Sequence, residues 1–396
     1  MSNFFNVIGV ADMEKVHSAV IGWMVSDKCD AFGPKGIKTR SKLLQDIFRV
    51  KASDRVGSFD SIESHIEWKN IDILIVTTKG TEKKCWLIEN KIKSSQHSDQ
   101  LNRYVKVIGC KHLLPSRKYG EYFDSVEKGR QCRFNPEAFR PNPYCTLDKH
   151  YCFLTLIDEK PVSAEGIEWK GTKYSDLYGY LSSALKSKAP GKDSTFLVEY
   201  LECVKDLSDA VKDFLRDHRE YPNVFTDAPL QKEDKSKDDL VSTGKYAPYI
   251  CENNLETIFQ KCFLGTIIPK TNLNAYPFRI LETHGTALVD FFYRIEKGSE
   301  FGIQFQNGTF KITIVGPESA KAFSDKWKGF LSSPPFSNGW KLNLGGKNYL
   351  SLTKRIARKD KGEPWYTKDV NSIVKDWNDA LKECLPLLDE IVRHNT

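Results

Sequence analysis

The chain has 396 residues, a formal net charge of +7, 40% apolar residues and 28% charged ones. That is enough for two or three domains with separate cores, and the composition is globular rather than disordered or fibrous. No apolar run is long enough to span a bilayer, the start "MSNFFNVIGVADMEK" lacks a secretory pattern, and the ten cysteines contain no CxxC pair, so a cytoplasmic chain with reduced thiols is expected.

Taken in order, apolar residues at Val16, Ala19, Val20, Trp23 and Met24 predict a first amphipathic helix. The loop "DAFGPKG" separates it from a second helix in "TRSKLLQDIFRVK". "SIESHIEW" predicts a strand and "IDILIVTTKGTEKKCWLIENKI" a hairpin. A helix is expected from Ser95 or Ser98, both suitable N-caps, through "DQLNRYVKVIG". From Cys110 to about Lys149 the chain is rich in Arg, Pro and aromatic residues and reads as an irregular insertion. "HYCFLTLID" returns as a strand, and helices follow in "KYSDLYGYLSSALK" and "STFLVEYLECVKDLSDAVKDFLRDHR".

The polar stretch "TDAPLQKEDKSKDDLVSTG" marks a linker. Strands are expected beyond it in "ALVDFFYRIE" and "FGIQFQNGTFKITIVG", and helices in "ESAKAFSDKWKGFLS" and "DVNSIVKDWNDALKECLPLLDEIV". The expected organisation is a first domain over 1–225 with its insertion at about 110–149, a linker at 226–244, and a smaller α+β domain over 245–396 serving recognition, regulation or oligomerisation.

The hairpin raises a chemical question, because it carries Asp72, Glu89 and Lys91 within its most apolar runs. With Gly80–Thr81 as the central turn residues, Lys79 faces Glu82, Val76 faces Cys85 and Asp72 faces Glu89. Two facing carboxylates repel unless one takes a proton or a divalent cation neutralises both. Carboxylate oxygens suit a hard ion such as Mg²⁺, and a lysine two residues further on can stabilise charge developing on a phosphoryl group. Gln100 and Tyr104, at i and i+4, share the next helix face.

These residues, D-x16-E-N-K followed by "QLNRY", resemble the PD-(D/E)XK nuclease superfamily with its restriction-endonuclease-like fold. "MEKVHS", "YCFLTLIDEKP", "EWKGTKYSDL" and "FLVEYLECVKDL" extend the likeness over roughly residues 12–210. The fold it implies is a mixed sheet flanked by helices, in α-β-β-β-α-β order. The resemblance implies that Asp72 and Glu89 hold metal, with the Asn90 carbonyl and Glu14 as further ligands. Lys91 becomes the catalytic lysine, supported by Gln100 and Tyr104. His17 and Ser18 fall in the opening motif and are expected to pack. Glu63 and Glu67 compete for a strand acid of the family, and Ile71 stands where the family name has proline.

The implied function is Mg²⁺-dependent phosphodiester hydrolysis, with Mn²⁺ as substitute, on DNA ahead of RNA, in prokaryotic antiviral defence. The alternatives are an RNA-cleaving nuclease and a non-catalytic nucleic-acid-binding module. A homodimer and a regulatory partner or ligand at the C-terminal domain stay open, and no membrane partner is expected. Elsewhere, Cys110, His112, Cys132, Cys145, His150 and Cys152 lack zinc-site spacing and are expected to be structural cysteines and histidines. "NLGGKNY" does not match the phosphate loop of nucleotide-driven motors.

Overall fold

A computed structural model describes residues 3–33, 36–92, 100–156, 161, 166–186, 191–225, 242–283, 285–296, 299–316, 320–336, 340–344, 349–355 and 364–395. The chain divides into two compact units, Met1–Asp209 and Ala210–Thr396. Most of the expected linker, residues 226–241, lies outside the described residues, as do Ser95 and Ser98.

The first unit begins with α1 (Phe4–Val7), α2 (Glu14–Val25) and α3 (Gly36–Ile47). The sheet follows as β1 (Ser61–Trp68), β2 (Ile71–Lys79) and β3 (Glu82–Lys91), then α4 (Gln100–Gly109), α5 (Ser116–Glu127), β4 (Asp148–Thr155) and β5 (Trp169–Lys173). Helices α6 (Tyr174–Lys186) and α7 (Ser194–Arg216) come next. The strand order is β1-β2-β3-β4-β5, antiparallel from β1 to β3 and parallel from β3 to β5.

Residues of β2 and β3 are buried on both faces, which is why both read as continuous apolar runs. Leu74, Val76, Cys85 and Leu87 form one face and share a core with Leu101, Val107 and Ile108 of α4 and Tyr119 of α5. Each such side chain, fully buried, stabilises the unit by about 1.5–3 kcal/mol. The other face carries Ile73, Ile75, Trp86 and Ile88, and α2 packs against all three antiparallel strands. Gly22 permits that approach, since a Cβ there would sit 2.4 Å from the Ile66 side chain.

Two expectations need correction. The stretch 110–149 is not wholly irregular, because "SRKYGEYFDSVE" forms the twelve-residue helix α5. "WKGTK", not expected as a strand, is the edge strand β5, held by parallel pairing with β4.

The second unit contains α8 (Ala247–Glu252) and α9 (Glu256–Ile267), then β6 (Phe278–Thr283), β7 (Thr286–Glu296), β8 (Ser299–Gln306) and β9 (Thr309–Val315). It closes with α10 (Ala320–Leu331), β10 (Lys341–Leu344), β11 (Tyr349–Arg355) and α11 (Val370–Asn395). Its six strands form an antiparallel sheet ordered β10-β11-β9-β8-β7-β6. Trp377 of α11 packs on Phe305 and Phe310, with centroids 4.2 and 5.4 Å away.

Candidate active site

The site grows from the β2–β3 hairpin. Gly80 turns it at φ +58°, a conformation that favours glycine, and pairing runs from Lys79↔Glu82 through Val76↔Cys85 to Ile73↔Ile88. That is the expected register, and its next step brings Asp72 towards Glu89. Asp72 Oδ2 accepts a hydrogen bond from the Asn90 amide at 2.9 Å, which fixes the carboxyl against the end of β3.

Glu89 is fully buried, and Lys91 is 6% exposed on the same face of β3. Lys91 Nζ lies 2.7 Å from Glu89 Oε1 and 3.9 Å from Glu14 Oε2. The Glu89 contact is an ion pair by distance only: neither Glu89 oxygen receives a well-directed hydrogen bond. Glu14 also accepts from the Ile92 amide at 2.9 Å, so it meets the site at Lys91 and the chain just beyond.

The electrostatics follow from this crowding. Burial, and then the Glu89 charge, push the Asp72 carboxyl up to about 8. Burial is the largest single influence on Lys91 and favours the neutral amine. The charges of Glu89, Glu14 and Asp72 together outweigh it and hold the lysine as ammonium, above its ordinary range.

From α4, Gln100 Nε2 donates to Tyr104 Oη at 2.9 Å. The Tyr104 hydroxyl sits beside Glu89 and Asp72; burial first, then those charges, lift it far above the usual phenol range and keep it a neutral donor.

Asn90 points to the opposite face and forms a clamp. Its Nδ2 donates to the Glu14 carbonyl at 3.0 Å and to Ser18 Oγ at 3.1 Å, and its Oδ1 accepts from Tyr174 Oη at 2.7 Å. His17 packs edge-on against Tyr174. Its Nε2 faces the Ala11 carbonyl at 2.9 Å, an acceptor only, so that nitrogen carries the proton and Nδ1 accepts from Tyr200 Oη at 3.1 Å. Burial lowers His17 to about 4, so the ring is neutral and structural. The expected motif thus contains a packing network, and Tyr174 in "KYSDL" is part of it.

Glu63 and Glu67 are both exposed. Glu67, at φ +55°, pairs with Lys15 at 3.7 Å, while Glu63 lies near Tyr144. Lys173, which sequence reasoning passed over, shares a cross-strand row with Lys91 through Thr155. Two strand spacings put their backbones about 10 Å apart. Its signal was hidden because β5 was not recognised.

The donor set fits a hard divalent cation. Asp72 and Glu89 are close-set oxygen ligands whose mutual repulsion a cation would relieve, and the Glu89 oxygens are buried without directed partners. Among the described residues, no three His, Cys, Asp or Glu side chains converge to form a larger cage.

A family model described as PD-(D/E)XK nuclease superfamily matches residues 2–202. The chain belongs to that superfamily. PD-(D/E)XK nucleases are hydrolases acting on phosphodiester bonds and typically use divalent metal ions. The five-stranded mixed sheet flanked by helices is consistent with their restriction-endonuclease-like fold. No curated protein and no solved structure gives a significant match. No helix among the described residues is long and apolar enough to cross a membrane.

Proposed function

We propose that this PD-(D/E)XK chain is a Mg²⁺-dependent nuclease, with Mn²⁺ as substitute, that cleaves phosphodiester bonds in DNA. The observation that carries the reading is the buried Asp72–Glu89–Lys91 cluster at the end of one hairpin. A cation held by Asp72 and Glu89 supplies Lewis acidity and lowers the pKa of water. Lys91, kept as ammonium, then faces the charge that develops on the phosphoryl oxygens. Gln100 braces Tyr104, whose hydroxyl stands beside Glu89 and Asp72. Lys173 holds a neighbouring phosphate of the bound strand. Glu14 steadies Lys91 and the start of the segment after β3. The Asn90 clamp fixes the backbone between the two charged residues. Prokaryotic defence against phage is the role this family likeness suggests.

The test is a cleavage panel of duplex DNA, single-stranded DNA and single-stranded RNA with Mg²⁺ or Mn²⁺, against EDTA and Lys91→Ala controls. DNA cleavage that needs the metal and Lys91 is expected. Preferential cleavage of RNA overturns the substrate, and activity unchanged in Lys91→Ala overturns the mechanism.

A further inference from the structure

The sheet of the second unit has one apolar face and one polar face. Trp377 of α11 packs on Phe305 and Phe310, and Trp327 of α10 on Phe301, so these helices lie on the apolar face. Side chains alternate along each strand. In β9, Phe310, Ile312 and Ile314 are buried, while Thr309, Lys311, Thr313 and Val315 keep part of their surface accessible on the other face.

A single polar row crosses that second face. Strand pairing aligns Arg279 of β6, Asp290 of β7, Gln304 of β8, Lys311 of β9, Thr353 of β11 and Lys341 of β10. Five strand spacings make the row about 24 Å long. Its centre is a hydrogen-bonded chain. Gln304 Nε2 donates to Asp290 Oδ1 at 2.8 Å, and Lys311 Nζ donates to Gln304 Oε1 at 3.0 Å and Gln306 Oε1 at 3.1 Å. An amide thus caps the one carboxylate of the row, and Lys311 is held by neutral oxygens. Burial lowers Lys311 from its ordinary range, and the Asp290 charge only partly offsets that. A nearby anion would offset it further.

The flanks add charge and rings. Arg279 and Lys341 are exposed, and neither makes an ion pair among the described residues. Arg279 Cζ stands 4.5 Å from the centroid of Phe292, whose partner Gly302 adds no side chain to the face. Tyr349 lies on this face too, its hydroxyl beside Ser351. Glu300, exposed towards one end of β8, is the second acid here. Three cations therefore stand against a capped carboxylate and a peripheral one, next to two aromatic rings.

We propose that this face binds a single-stranded polynucleotide laid across the strands, with phosphates at Arg279, Lys311 and Lys341 and bases against Phe292–Arg279 and Tyr349. A phosphodiester backbone complements the cations, and an open face offers its rings to unpaired bases, which a duplex keeps stacked inside. The inference takes its partner class from the nuclease reading. The Asp72–Glu89–Lys91 cluster belongs to the first unit, so the two sites are tested separately.

The experiment follows the fluorescence anisotropy of a labelled oligodeoxythymidine of about 20 nucleotides with the full chain, in EDTA and over a salt series, beside thermal melts. Saturable binding is expected. Arg279→Glu and Lys341→Glu, both at exposed positions, should each weaken it about five-fold and reduce the salt slope by about 0.7. Glu300→Lys should tighten it, a gain that misfolding cannot mimic. Lys375→Glu, the same charge change on α11 behind the sheet, should bind as wild type does. The inference is overturned by absence of saturation, or by wild-type affinity in Arg279→Glu/Lys341→Glu or in Glu300→Lys. It is equally overturned if Lys375→Glu weakens binding as much as Arg279→Glu, which would leave net charge as the cause. Tighter binding of a duplex of the same length would also overturn it, as would equal displacement by polyglutamate, which would assign the face to an acidic protein. Cleavage absent with this binding intact sinks the nuclease reading alone. Cleavage present with wild-type affinity in the double variant sinks this inference alone.

Discussion

Asn90→Ala removes the clamp that joins β3 to α2 and α6 while leaving Asp72, Glu89 and Lys91 in the sequence. Asn90 is fully buried, and three side-chain hydrogen bonds of 2.7–3.1 Å disappear with it. Each buried polar group left unsatisfied costs ~1–3 kcal/mol. With the Tyr174 hydroxyl orphaned and the other two bonds gone, a loss of about 3–5 kcal/mol is expected. For a unit of this size that corresponds to a fall in Tm of roughly 10 °C. Tyr174→Phe removes only the donor to Asn90 Oδ1 and should cost about 1–3 kcal/mol. Because the two side chains share one bond, the double variant should be less destabilised than the sum by about 1 kcal/mol or more. Urea denaturation of the four proteins, followed by circular dichroism, measures this coupling. Additivity within about 0.5 kcal/mol, or a loss below about 1 kcal/mol for Asn90→Ala, would refute the clamp.

Asp72 supplies a pH signature in the metal-free chain. Folded, it holds its proton up to about 8; unfolded, it releases it near 4, so stability falls as pH rises between those values. His17 acts oppositely, since it stays neutral down to about 4 while the unfolded chain protonates below about 6.5; its stabilisation is lost as pH falls through that window. Of the two, only Asp72 acts above pH ~6.5, and discounting its partial exposure gives a loss of about 1–2 kcal/mol by pH ~8 in EDTA. Asp72→Asn should flatten that slope, and an unchanged slope in thermal melts would contradict the crowding described. Lys91→Met leaves Glu89 buried without its ion partner and should cost about 3–5 kcal/mol, much of it recovered in Glu89→Gln/Lys91→Met. Chemical denaturation checks this, and a double variant no better than the single would count against the pair. Lys173→Ala should raise KM for DNA more than it lowers kcat and reduce the salt slope of binding by about 1. A pure kcat effect would remove it from phosphate binding.

The core of the site was legible because its geometry is local. One glycine turn sets the hairpin register, and alternation then puts Leu74, Leu87 and Glu89 on one face and Asn90 on the other. What stayed hidden depends on distant segments. Helix α5 was obscured by Gly120 within it and by the Pro- and Arg-rich residues around it, although Pro115 stands at its N-cap. Strand β5 is five residues with a glycine and two lysines, and only its pairing to β4 makes it a strand. The choice between Glu63 and Glu67 could not be made from spacing, and both carboxylates lie on the exposed outer strand. The Asn90 side chain looked like a bystander between two charged residues, because its partners come from α2 and from Tyr174, 84 positions later.

That long separation bears on how the chain is made. The hairpin that carries Asp72, Glu89 and Lys91 closes over a short loop, so it can form while the ribosome is still adding residues. The Tyr174 hydroxyl emerges much later, after β4 and β5 have crossed back in parallel beside β3. During that interval Asn90 has only its α2 partners, and the carboxylates lack the parallel half of their sheet. A nascent chain that ends before α6 should therefore be a poor enzyme, so the cell producing this nuclease meets its cutting edge only once the first unit is nearly complete.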